Sequence, residues 1–349
     1  MPPVTGKYIY GMISPARDSA AVAGIGDAAL QTVTRGDFSA VVADAEMVAY
    51  KNMDRSFLAA RLLQHQKVLE ALMGMGCTVI PVKLGTIVRD DQDVGVIIDK
   101  CRSLVRDLWD KIKGTIEIDI VATWHDFPAV IKVLSEEKEI TEYKAALLAR
   151  ATPITVEDQQ QAGRMVMQAL ANRRAACARR ILDALTPASQ EVRVHADLHE
   201  QMVFNAAFLL QASAQARFDA DVENVNAACN NELKFKYIGP LPCYSFYTLA
   251  VDQFSYAALD QARTALGLPD AATKDEIKSA YKLKAAAVHP DKQPGPPGSA
   301  PDFDGLHKAY AMLLDYCGAG EAAAPDGPCS FLEEAVQANS FHVTLQESP

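Results

Sequence analysis

The residues best equipped for chemistry are few and scattered. His289-Pro290-Asp291 follows a lysine-bearing stretch in which Lys274, Lys278 and Lys282 recur every four residues. On a helix that spacing stacks three ammonium groups on one face as a cationic stripe. His195 and His199 are also four apart, within reach of one metal ion if helical. No HExxH pattern surrounds them, and no nearby Cys or His completes a tetrahedral set. A surface or capping role is therefore the stronger reading, and no metal is expected. Gly24-Ile25-Gly26 lacks the third glycine of a dinucleotide loop, and no phosphate-binding GxxxxGK[ST] segment or GxSxG nucleophile elbow is present. Nothing around Cys77 or Cys101 marks a nucleophile, so both read as packed thiols. The expectation is a binding protein, not an enzyme, with no cofactor.

The elements that would carry these residues belong to a chain of 349 residues, enough for two or three domains. Hydrophobic residues make up 49% and charged residues 22%, an ordinary globular balance. The net charge of -10 repels phosphate backbones, which argues against nucleic acid. Seven cysteines, an odd number with no CxxC pair, read as reduced and mostly buried in a cytoplasmic protein. Residues 1–12 show no signal pattern. The longest apolar run, Met202 to Leu210, is far short of the roughly 20 residues a bilayer span needs, so no membrane is expected.

Strands and helices alternate along the first half. Tyr8 to Ile13 and Phe38 to Ala43 read as strands, the second entered through Arg35-Gly36-Asp37. Asp54 to Met73 has helical spacing, with Asp54 as its cap and Gly74 as its stop. A strand at Thr78 to Pro81, a helix at Val94 to Ile112 and an alternating strand at Ile116 to Ile120 follow. Two long helices come next, Phe127 to Ala149 and Val156 to Leu185. A second α+β unit holds a strand without a polar face at Gln201 to Leu210, hence central, a helix at Ser213 to Asn231, and a strand at Leu233 to Tyr237. Gly239-Pro240-Leu241-Pro242 then reads as a break in the sheet. Tyr256 to Cys317 is helix and loop. Beyond Gly318 the Ala/Gly/Pro-rich chain reads as a flexible tail with one short helix at Phe331 to Ala338.

Three segments stand out together: Tyr8-Ile9-Tyr10-Gly11, Pro81-Val82-Lys83-Leu84-Gly85-Thr86, and Gly239-Pro240-Leu241-Pro242-Cys243-Tyr244-Ser245-Phe246. Their order and spacing resemble the gas vesicle protein F/L family (GvpF and GvpL), with Lys83, Leu84, Leu241 and Cys243 departing from its usual residues. The resemblance covers about residues 6 to 250. It implies α+β domains of which the first is ferredoxin-like, and a place in the gas vesicle. It also implies a role: binding the very hydrophobic shell protein and limiting its aggregation while a vesicle is nucleated. Tyr10, Gly11, Pro81, Gly85, Thr86, Gly239, Pro240, Pro242, Tyr244 and Phe246 are the motif positions carried over.

Downstream, His289-Pro290-Asp291 and the later Phe303, Leu306, Ala309, Tyr310, Leu313 and Asp315 resemble the J domain of DnaJ-type co-chaperones. The resemblance spans about Tyr256 to Tyr316. It implies docking of a DnaK-type ATPase through His289, Pro290 and Asp291 and the stripe of Lys274, Lys278 and Lys282. Leu283 and Ala287 stand where the family is usually basic, and Lys284 where it has a core leucine. A hairpin kept for packing is the competing reading. The expected fold class is therefore α+β: two ferredoxin-like or α+β domains joined by long helices, plus an all-α J-like hairpin. The expected boundaries are 1–125, 126–255, 256–317 and a tail at 318–349. The expected partners are the shell protein, other gas vesicle proteins and a DnaK-type chaperone. A general J-domain co-chaperone with a different client is the alternative.

Overall fold

A computed structural model describes residues 4–14, 22–48, 50, 53–288, 303–319 and 327–346. In chain order its main elements are β1 (Thr5–Ser14), β2 (Leu30–Arg35), β3 (Phe38–Glu46), α1 (Arg55–Gly74), β4 (Thr78–Pro81), β5 (Ile87–Val88) and α2 (Asp91–Ile112). Then come β6 (Thr115–Trp124), α3 (Phe127–Ser135), α4 (Lys138–Leu148), α5 (Val156–Leu185), β7 (Glu191–Val194), β8 (Met202–Gln211), α6 (Gln215–Ala228) and β9 (Leu233–Leu241). The last are β10 (Thr248–Gln253), α7 (Tyr256–Leu266), β11 (Ala271–Ala272), α8 (Lys274–Val288), α9 (Phe303–Ala319), β12 (Cys329–Ser330), α10 (Glu333–Ala338) and β13 (Phe341–Gln346). The chain forms two compact units. One gathers residues 1–65, 82–106 and 249–345, the other 66–81, 107–248 and 346–349.

In the first unit β3 lies between β1 and β2, antiparallel to both, with Ile9 opposite Val42 and Thr34 opposite Ser39. β5 pairs with β1 at Lys7 and Tyr8. Tyr8, Ile9, Tyr10, Met12 and Ile13 are all buried, so both faces of β1 are covered. Asp54 caps α1 as expected, its carboxylate accepting the Phe57 N–H at 2.8 Å. Along α2, Val94, Ile97, Cys101 and Val105 are buried at helical spacing, and Asp91 and Asp93 favour its first turn.

The second unit holds a four-stranded antiparallel sheet in the order β7-β8-β6-β9. β8 is central, as its lack of a polar face requires. The boundary expected at residue 125 does not hold, because β6 sits inside this sheet and not in the first one. A two-residue period shows that a strand is half-buried but not which sheet buries it. Helices α5 and α6 cover one face, where Phe218 of α6 joins Ile118, Ile120 and Phe208 of the strands in one core. The helix expected from Phe127 to Ala149 is two helices broken at Glu136-Glu137, with Asp126 capping the first. β9 runs on through Gly239-Pro240 to Leu241, where a break was expected. It is an edge strand, and the register against β6 shifts between Glu117 and Asp119. An edge and a bulge are the two places a strand tolerates proline.

The C-terminal part of the first unit is helical. Leu259, Leu266, Ile277 and Leu313 close a small core between α7, α8 and α9. The expected flexible tail from residue 318 is also corrected. Among its described residues, β12 pairs with β11, α10 contacts α7, and β13 pairs with β10. Phe331, Val336 and Phe341 are each at most 2% exposed. Burying a large apolar side chain stabilises by about 1.5–3 kcal/mol, so these three anchors help hold the return in place. Low-complexity Ala/Gly/Pro composition masked them. Two cysteines also depart from the expected reduced state: Cys317 and Cys329 are joined. The other five are buried and not disulfide-bonded.

Candidate functional site

The first two family segments meet in the first unit. The Val82 N–H donates to the Tyr10 carbonyl at 3.0 Å and the Ile9 N–H to the Thr86 carbonyl at 3.0 Å. Gly11 follows a register shift in β1, which re-aims the strand at Tyr10. The Tyr10 hydroxyl accepts the Ile25 N–H at 2.7 Å, and its ring stacks on His65 with centroids 5.5 Å apart. The Tyr8 hydroxyl lies 2.7 Å from His65 Nδ1 and accepts the Gly85 N–H at 3.4 Å. Gly85 has φ +85°, and a Cβ there would lie 2.7 Å from the Tyr50 ring. Both facts demand glycine. The Thr86 hydroxyl donates to the Lys83 carbonyl at 2.7 Å and closes the turn. Pro81 ends β4.

His65, from α1, was not singled out in the sequence. It is 1% exposed, and burial pulls its imidazole down to about 4, so it is neutral at physiological pH. Burial likewise pushes the Tyr8 and Tyr10 phenols above their ordinary value. The signal that marks His65 is weak: a lone histidine flanked by Gln64 and Gln66 on a Leu/Ala helix.

The third segment docks within the second unit. Gly239 has φ +146°, and a Cβ would lie 2.9 Å from the Glu117 carbonyl oxygen. The Gly239-Pro240 peptide is cis, and Pro242 introduces a turn in which the Tyr244 N–H donates to its carbonyl at 2.7 Å. Glu117 is 1% exposed. Its carboxylate accepts the Ser245 N–H at 2.8 Å and the Ser245 hydroxyl at 2.7 Å. Burial, and then the neighbouring charge of Asp119, push Glu117 above the usual carboxylate range. Phe246 is fully buried under the Arg193 guanidinium, 5.6 Å from its ring centre. The Tyr247 hydroxyl donates to Glu191. Glu117 was also not singled out. Its alternation in β6 placed it on an expected solvent face that the 242–247 turn covers.

In the helical hairpin, Thr273 and Glu276 cap α8 reciprocally: Glu276 accepts the Thr273 N–H at 2.7 Å and Thr273 accepts the Glu276 N–H at 3.2 Å. Lys274 is half-buried, Lys278 pairs with Asp275 at 3.4 Å, and Lys282 is exposed. The stripe is thus flanked by Asp275 and Glu276. Lys284 does not displace the core. Its Nζ reaches the Ala265 carbonyl at 2.7 Å, at the C-terminal end of α7. Leu283 is 77% exposed. Tyr281 and Tyr310 stack 4.3 Å apart and join α8 to α9. His289, Pro290 and Asp291 lie outside the described residues.

His195 and His199 flank a loop after β7 and share no helix, and among the described residues no three His, Cys, Asp or Glu side chains are grouped as a metal requires. No described helix is long and apolar enough to cross a membrane.

Residues 6–248 match the family described as Gas vesicle synthesis protein GvpL/GvpF. The chain belongs to the GvpL/GvpF family. Residues 264–316 match the DnaJ domain. Among curated relatives, Gas vesicle protein F of Nostoc sp. is 22% identical over 69% of this chain and 98% of its own. That of Dolichospermum flosaquae is 25% identical over 55% and 80%. The Chaperone protein DnaJ of Ehrlichia ruminantium is 41% identical over 18% of each chain. Two crystal structures of GvpF share the fold. The Anabaena sp. protein has a TM-score of 0.61 and 22% identity, over 69% of this chain and 97% of that one. The Microcystis aeruginosa protein has a TM-score of 0.54 and 22% identity, over 69% and 98%. The GvpL/GvpF body and the DnaJ domain are both non-enzymatic families. Together they make this a gas-vesicle-associated protein with J-domain co-chaperone potential.

Proposed function

We propose that this protein is a cytoplasmic assembly factor of gas vesicles. It binds the hydrophobic shell subunit through its GvpL/GvpF body, keeps it from aggregating before it joins the vesicle, and recruits a DnaK-type ATPase through its J-like hairpin. No catalysis of its own is part of this reading. The observation that carries it is the joining of both families on one chain, residues 6–248 and 264–316. A shell subunit that excludes water on one face aggregates unless a partner covers that face. An apolar surface supports the reading: on α1, Leu62 and Leu63 are 48% and 54% exposed beside exposed Ala59 and Ala60. The motif residues Tyr10, Gly11, Gly85, Thr86, Gly239, Pro240 and Phe246 shape the body that carries this helix.

Co-precipitation with the shell protein, read with light scattering of shell protein alone and in mixture, tests the body. Capture and suppressed scattering are expected. Neither occurring, while a DnaK-type ATPase is still stimulated, favours a co-chaperone with another client. For the hairpin, the intact chain accelerates ATP hydrolysis by the DnaK-type partner and His289→Gln does not. Equal rates would reduce the hairpin to a packing element.

A further inference from the structure

We propose that Cys317 and Cys329 form a reversible covalent clasp that fastens the C-terminal return onto the last helix of the J-like hairpin. Their Cα atoms are 5.6 Å apart, inside the range of about 4.4–6.8 Å open to a disulfide. Cys317 sits in the last turns of α9 and Cys329 opens β12, and they are 6% and 9% exposed. Contacts independent of sulfur hold them there. Cys329 pairs with Ala272 across β11 and β12. The Tyr316 hydroxyl donates to the Ser330 carbonyl at 2.9 Å, and the Phe331 N–H to the Asp270 carbonyl at 2.7 Å. The two thiols are therefore preorganised before any bond forms.

The other five cysteines are built differently. They are not disulfide-bonded, and burial pushes Cys101 up to about 12, which starves it of thiolate. β12 is two residues long. So short a pairing opens locally at small cost and admits a small reagent.

The oxidant is a low-molecular-weight disulfide of the glutathione type. One cysteine thiolate attacks it, forming a mixed disulfide and expelling one thiolate. The second cysteine then attacks the protein-side sulfur and expels the other. Two protein thiols lose two electrons, one external disulfide becomes two thiols, and the two protons end on the released thiolates. Excess external thiol runs the exchange backwards. Linked, the return is tied covalently to α9; unlinked, it is held by noncovalent contacts, among them buried Phe331 and Val336, the β11–β12 and β10–β13 pairs and the Tyr316–Ser330 hydrogen bond.

The full chain is equilibrated with oxidised or reduced glutathione, alkylated, and mapped by mass spectrometry. A Cys317–Cys329 peptide is expected in oxidised buffer, and alkylation at both positions in reduced buffer. Hydrogen exchange in residues 329–346 should slow by roughly tenfold or more on linking. Cys329→Ser and, independently, Cys317→Ala should exchange like the reduced wild type in both buffers. Two free thiols in oxidised buffer, a link to another cysteine, a link that survives excess thiol, or equal exchange in both states would overturn the clasp. The mapping uses wild-type protein and does not depend on either variant folding.

Discussion

Acidification charges His65 in the unfolded chain before it does so in the folded one. The unfolded imidazole takes its proton near 6.5, whereas the folded one waits until about 4. Above the unfolded value both states are neutral and His65 contributes no pH dependence. Between the two values the unfolded state binds a proton that the folded state refuses, so stability falls as pH falls. A gap of about 2.5 pH units at about 1.4 kcal/mol each gives ~3 kcal/mol lost by pH 4. Carboxylates held below their ordinary value, such as Asp44 beside Lys7, also lose stability in acid. His65→Gln isolates the histidine because those carboxylates remain in both proteins. Glutamine keeps a partner for the Tyr8 hydroxyl and loses the stack on Tyr10, a cost that does not vary with pH. Urea titrations of both proteins at several values between about pH 7.5 and 4 give the difference in stability, and the variant should gain ~3 kcal/mol relative to wild type across that range. Nuclear magnetic resonance of labelled imidazole should show His65 neutral down to about pH 4. A stability difference that does not change with pH, or an imidazole titrating near 6.5, would refute the reasoning.

Glu117 works in the opposite sense. Its folded value is raised, so the neutral form suits the fold and stability falls as pH rises from the ordinary carboxylate range through the raised value. Glu117→Gln, with the Ser245 hydroxyl turning to accept, should be the more stable protein at neutral and alkaline pH by about 1–2 kcal/mol and lose that advantage in acid, as thermal melts across pH will show. Gly85→Ala puts a side chain at φ +85° and against Tyr50, and should cost about 2–3 kcal/mol in denaturant titrations. Phe331→Ala empties an anchor that is 2% exposed and should lower stability by about 3–5 kcal/mol, with faster hydrogen exchange in α9. Leu283→Lys adds a cation on the exposed face of α8 and should strengthen binding of a DnaK-type ATPase about two- to fivefold by titration calorimetry.

Several elements were legible in the sequence for definite reasons. Helix α2 follows from Val94, Ile97, Cys101 and Val105 on one face, and β8 from a run with no polar side. The motif glycines Gly85 and Gly239 stand where positive φ and close backbone approach leave no room for a Cβ. What stayed hidden depends on long-range pairing. Nothing local says that β6 pairs with β8, nearly a hundred residues on, or that Glu117 faces a turn supplied by residues 242–247. His65 lies on the buried face of α1, three, four and seven residues before Val68, Leu69 and Leu72, but a polar side chain adds nothing to an apolar stripe, and the exposed Leu62 and Leu63 blur that stripe further. Lys284 looked like a core defect until the Ala265 carbonyl supplied its partner. The C-terminal return was masked by composition, since three apolar anchors are too sparse to outweigh the alanines and glycines around them.

The pairing of β13 with β10 has a consequence for reach. The J-like helices leave the body after β10 and are brought back to it by β13, with the Lys100 ammonium 3.3 Å from the Asn339 side-chain oxygen as a further tie. A module on a single flexible linker samples a wide sphere, and a ligand it captures is diluted by that freedom. A module anchored at both ends sweeps a much smaller volume. On the proposed function, an ATPase docked there would meet a client held by the same chain at a high and nearly constant local concentration, set by the geometry of a closed loop and not by linker length.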